Sequence, residues 1–134
     1  MNKILSLSLI FILFFMVGCK KYEEGPIISL KSSKSRICKN PWVLKSIKNL
    51  ATDIKVEYNS KGTLEFNKDG TWTNNAFNFP QSGKGIWSIE GETLTFFFTL
   101  YITNEAREDV KILRLTTKDL WFSNSISEYK YEAN

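Results

Sequence analysis

The 134-residue sequence contains no histidine at all and only two cysteines. Without imidazole there is no Ser-His-Asp triad, no Cys-His pair and no histidine-ligated zinc, which removes the commonest hydrolytic and metal-assisted mechanisms. Glycine-rich phosphate cradles of the strand-loop-helix kind are also missing, so nucleotide binding has no foothold. Three prolines and seven glycines are scattered rather than clustered. No apolar run is long enough to cross a bilayer as a helix, which takes about 20 residues.

The formal charge of +4 points toward a polyanion partner only until it is placed along the chain. Residues 1–18 carry Lys3 alone, residues 19–39 carry six bases against Glu23 and Glu24, and residues 40–134 carry eleven bases against twelve acids. The basic excess therefore belongs mainly to residues 19–39, and residues 40–134 are close to neutral with both signs interspersed. Nucleic-acid binding, which needs a clustered basic face, is not expected.

What is present begins with an export signal. Lys3 supplies the positive start, and Ile4 to Val17 is apolar apart from Ser6 and Ser8, the grammar of a secretory leader. It ends in Met16-Val17-Gly18-Cys19, which resembles the lipobox of bacterial lipoproteins. The resemblance implies cleavage before Cys19, a diacylglyceryl thioether on its sulfur and palmitate-type acylation. Two or more acyl chains anchor a protein stably where one does not. Lys20-Lys21 follows the cysteine where the inner-membrane retention signal of Gram-negative lipoproteins has aspartate, so the resemblance implies the outer membrane. Residues 19–39, rich in lysine and serine and broken at Gly25-Pro26, read as the lipidated cysteine and a flexible, mostly extended basic tether, with a short strand at Ile27 to Leu30 as an option. Cys38, without an activating base, reads as a packed or incidental thiol, with pairing to another chain as the alternative.

From residue 40 the pattern changes to a period of two. Ile54, Val56 and Tyr58 alternate with Lys55 and Glu57, and Leu94, Phe96 and Phe98 alternate with Thr93, Thr95 and Thr99, as half-buried strands do. Turn signals stand between such runs: Asn59 to Gly62, Asn67 to Gly70, Glu90-Gly91, Asn104 to Asp109, Lys118-Asp119 and Asn124. Nine strands are expected, near 41–48, 54–59, 62–67, 70–77, 84–89, 92–103, 109–117, 119–123 and 126–132. The expected fold is all-β, an antiparallel meander of eight or nine strands over residues 40–134 curled into a small barrel, because closure removes unpaired edges. A β-sandwich is the alternative.

Several stretches resemble a family of small lipocalin-like lipoproteins of Gram-negative envelopes: Tyr22-Glu23-Glu24-Gly25-Pro26 after the lipobox, Trp42 opening the first strand, Gly62 to Trp72, Gly85 to Ile89, and Leu115 to Leu120. The resemblance implies a calycin-type barrel on a lipid anchor. The usual lipocalin signature has a glycine two residues before the first-strand tryptophan, and this sequence departs from it with Asn40-Pro41 ahead of Trp42.

Trp42, Trp72, Trp87 and Trp121, with Phe66, Phe77, Phe96 and Phe98, line a pocket for a small apolar ligand if the barrel is hollow, or fill it if it is not. An eight-strand barrel permits either. The first reading makes Trp42, Trp72, Trp87, Phe96 and Phe98 the ligand-binding residues. The second leaves outward aromatics such as Phe97 and Tyr101, with Tyr129 and Tyr131 at the carboxyl end, to contact an envelope protein or glycan. The carboxylates Glu65, Glu90, Glu92, Glu105, Glu108, Asp109 and Glu128 read as solvated, so no catalytic residue, metal site or cofactor is expected. The chain is expected to be a monomer apart from its membrane anchor.

Overall fold

The computed structural model describes residues 32–76, 83–100 and 104–134. The expected signal, Cys19, the Ile27 to Leu30 segment, Phe77 and Tyr101 lie outside the described residues. Among the described residues one short helix, α1 (Ser33–Ile37), precedes nine strands: β1 (Trp42–Asn49), β2 (Lys55–Glu57), β3 (Thr63–Phe66), β4 (Thr71–Asn74), β5 (Gly83–Glu90), β6 (Thr93–Leu100), β7 (Asn104–Leu115), β8 (Asp119–Ser123) and β9 (Ser127–Ala133). All pairings are antiparallel. β1 joins β9, so eight strands close into a barrel, with β2 as an additional strand alongside the second half of β1. The closed meander expected from the period-two pattern is what forms, and the sandwich is not.

Two expectations are corrected. The polar run Asn104 to Asp109 is the first half of β7, not a turn. It pairs residue by residue with β6, from Leu100 opposite Asn104 to Thr95 opposite Asp109. Its alternation is real but hard to see, because polar side chains stand on both faces: Glu105, Arg107 and Asp109 are exposed, while Ala106 and Glu108 are half-buried. The second correction concerns the tether. Among the described residues, Ser33–Ile37 of the segment expected to be extended form a helix.

That segment closes one end of the barrel. Ser32 caps α1, its hydroxyl accepting the Ser35 N–H at 3.1 Å, a standard way to satisfy a helix's free donors. Ile37 is fully buried, and its carbonyl accepts the Trp42 indole N–H at 2.7 Å. Arg36, also buried, donates to the Leu115 carbonyl at 2.7 Å. The closure works without the signature glycine. Asn40 donates its side-chain amide to the Thr117 carbonyl, and the Pro41 carbonyl accepts the Asn134 N–H.

Inside, alternate residues of the eight barrel strands meet. Phe96 packs against Phe66, Trp72 and Phe122 with ring centroids 5.7, 5.8 and 6.1 Å apart. Phe66 extends the cluster to Trp87, and Phe122 stacks on both Tyr129 and Tyr131. Such tilted and edge-on contacts add to the burial of the rings themselves. The other end of the barrel is the mouth, formed by the β1–β2 and β8–β9 turns, which are tied together by the Leu50 N–H on the Ile126 carbonyl.

Candidate functional site

The five aromatic residues singled out from sequence separate into two groups. Trp42, Trp72, Trp87 and Phe96 are each at most 4% exposed. Their indole N–H groups are all committed to backbone carbonyls: Trp42 to Ile37, Trp72 to Phe97 and Trp87 to Asn67. A ligand reaching them would have to displace core rings. Phe98 differs: it is half-buried, touches Trp72 edge-on at 6.5 Å, and lines an opening in the barrel wall.

That opening has a clear origin in strand register. β5 and β6 pair from Glu90 opposite Thr93 as far as Gly85 opposite Phe98. Beyond that point Gly83 and Lys84 continue on β4, while Thr99 and Leu100 continue on β7. The two strands part, and a notch of about 330 Å³ lies between them, lined by Gly85, Ile86, Phe97, Phe98, Thr99 and Glu105. Its size falls at the lower end of the range for small-molecule sites, and its chemistry is the usual one of apolar walls with a few polar groups.

Gly85 makes the inner end of the notch possible. A Cβ there would lie 1.9 Å from the Phe97 carbonyl oxygen and 2.7 Å from Trp72 Nε1. Because glycine has none, the Trp72 indole reaches over it to donate to that carbonyl at 3.2 Å. Trp72 thereby separates the notch from the core. Sequence reading did not single out Gly85. The available signal was a glycine inside an alternating strand, which marks a close backbone approach.

On the outer wall the Arg107 guanidinium lies 5.8 Å from the Phe97 ring centroid and is held by both carboxylate oxygens of Asp109. These bonds from Arg107, with a further one from the Thr95 hydroxyl, hold the Asp109 carboxyl below the usual carboxylate range. Arg107 is thus fixed beside the apolar face of Phe97, while Glu105 stands exposed at the notch rim. Phe97 faces outward, as the alternation predicted.

Other candidates are placed elsewhere. Trp121 faces out, because its neighbours Leu120 and Phe122 take the inward positions. Arg114 and Lys130 lie 5.2 and 3.8 Å from the centre of its ring. Tyr129 and Tyr131, read as contact-surface candidates, are buried, and burial pushes both phenols upward. Cys38 packs against the core, and partial burial raises its thiol pKa. Glu108 faces the barrel interior near the mouth and accepts the Asn124 amide at 3.2 Å. Among the described residues, no group of three or more Cys, Asp or Glu is gathered in a way that could hold a metal ion.

No family model matches the chain, and no curated protein matches it. A solved structure does. The crystal structure of a lipocalin-like protein from Bacteroides uniformis is similar with a TM-score of 0.58, covering 72% of this chain and 98% of that one. The fold is lipocalin-like. At 13% identity the likeness lies in the path of the backbone: a closed eight-strand meander in the same class. The lipocalin-like barrel described here is packed through its centre, and its described apolar opening lies in the side wall.

Proposed function

We propose that this chain is an outer-membrane lipoprotein, anchored through acylated Cys19, whose lipocalin-like barrel binds a small, mainly apolar ligand in the notch between β5 and β6. The observation that carries the reading is the notch itself, whose apolar contacts are Ile86, Phe97 and Phe98. Ile86 is 62% exposed and Phe97 39% exposed, and large apolar side chains left in the open beside a cavity are a usual mark of a binding site. The role is binding without catalysis. The anchor rests on the export signal and lipobox, and metabolic labelling with palmitate should mark the chain and fail to mark Cys19→Ala.

A neutral fluorescent probe, N-phenyl-1-naphthylamine, titrated into the mature protein tests the notch. Ile86→Asp and Phe98→Ala should each weaken probe binding at least about tenfold, the scale of one lost apolar anchor. Trp121→Ala, on the far outer wall, should leave it unchanged. Equal binding by all four proteins would sink the assignment.

The packed centre favours a second reading, a filled-barrel module in which the same outward Phe97 and Ile86 meet an envelope protein or glycan. Probe binding that is absent from the wild type would favour this reading over the first.

A further inference from the structure

Among the described residues, the outer edge of β2 is left open. β2 pairs with β1 on one side and with no strand on the other. The Ile54 carbonyl accepts the Asn49 N–H at 2.9 Å, and the Tyr58 N–H donates to the Lys45 carbonyl at 2.7 Å. Even-numbered residues of this segment therefore turn their backbone groups toward β1. By the alternation of an antiparallel ladder, the N–H and C=O of Lys55 and Glu57 point to the free edge.

Proteins usually guard such edges by keeping them short or with charge, proline or a bulge. This edge is short, at three residues, but it has no proline and its two charges are of opposite sign. Lys55 and Glu57 carry opposite charges and share one face, where they are ion-paired with each other. On the other face Ile54 is 61% exposed and Val56 49% exposed.

We propose that β2 is a self-association strand, and that a second copy of this chain adds its own β2 edge to edge about a two-fold axis through Val56. In that register Lys55 stands opposite Glu57 of the partner subunit, and Glu57 opposite Lys55 of the partner subunit. Both are hydrogen-bonded pairs, which matches the direction of the free backbone groups. Val56 meets Val56 of the partner subunit across the axis. Centring the pair on residue 55 or 57 instead would set lysine against lysine or glutamate against glutamate, which opposes pairing. The edge is thus self-complementary in one register, as a two-fold contact must be. So short a strand makes a weak dimer, and it replaces the monomer expected from sequence.

Disulfide trapping in the bacterial envelope tests this on the full chain with Cys38→Ser as background. Opposed residues of a non-hydrogen-bonded antiparallel pair have Cα atoms about 4.5 Å apart, close enough for a disulfide. Val56→Cys should give at least about tenfold more covalent dimer than Thr73→Cys, an exposed position on the outer wall. Adding Lys55→Glu to Val56→Cys should remove at least about nine-tenths of that dimer by like-charge repulsion, and the swap Lys55→Glu with Glu57→Lys should restore it. All these positions are exposed, so the barrel stays folded. Val56→Cys trapping no better than Thr73→Cys overturns the proposal, and so does a dimer yield that ignores Lys55→Glu.

Discussion

Gly85→Ala is expected to lower the stability of the barrel by roughly 3–5 kcal/mol, combining the strain of an overpacked strand contact with the loss of a partly buried hydrogen bond. The new methyl group would overlap the Phe97 carbonyl oxygen and the Trp72 indole together. Both obstacles are awkward to move: the carbonyl belongs to a paired strand, and the indole is 1% exposed and wedged against Phe96 and Phe98. Urea denaturation followed by tryptophan fluorescence reads the effect as a lower midpoint. Gly91→Ala is the control. Nothing lies within 4 Å of a Cβ there, and its φ of +58° carries a backbone penalty of about 1–2 kcal/mol. If Gly85→Ala cost no more than Gly91→Ala, the close approach of β5, β6 and Trp72 would be wrong.

Phe96→Ala should destabilise by a similar amount, roughly 3–5 kcal/mol, the range for a large aromatic removed from a sealed core. Phe96 is fully buried and touches rings from β3, β4 and β8, so its loss opens a void that these strands cannot close by a small shift. The near-ultraviolet circular dichroism of the folded protein should weaken, since the ring packing it reports is centred on this residue. In a hollow barrel the same truncation would barely change stability and would alter ligand affinity instead. The substitution therefore separates a packed centre from an empty one. A shift under about 1 kcal/mol would contradict the packed centre.

Much of this architecture was legible from alternation alone, because sheet pleat converts period two into inside and outside. Leu94, Phe96 and Phe98 point in and Phe97 points out, as their spacing required. The first half of β7 was not legible: Glu108 takes an inward position near the wet mouth, so charge stands on both faces and the run looks like a turn. α1 was invisible for another reason. A five-residue helix with one apolar side chain has almost no intrinsic tendency to form, and it exists because Ile37 and Arg36 find Trp42 and Leu115, which are distant or unrelated in local pattern. The inward aromatics were correctly named as a set, yet whether they line a space or fill it depends on summed volumes that no spacing rule contains. The notch depends on where β5 stops pairing with β6, a register fact decided across the barrel. The glycines at 83 and 85 were its only trace in the sequence.

The same reasoning explains why the proposed ligand site lies at the wall and not at the tryptophans. With three indole N–H groups bonded to the backbone and the rings in mutual contact, the centre contributes stability. The residues left exposed and apolar beside a break in the ladder, Ile86 and Phe97 with Phe98 behind them, contribute the surface.

Native mass spectrometry of the mature protein recovered from its own envelope, wild type beside Ile86→Asp, tests the central claim most directly. The account predicts an added mass of a few hundred daltons on the wild type, the size a notch at the lower end of ligand-site volumes admits, released on denaturation and missing from Ile86→Asp. A bare wild-type mass, or an adduct that Ile86→Asp retains, would contradict it.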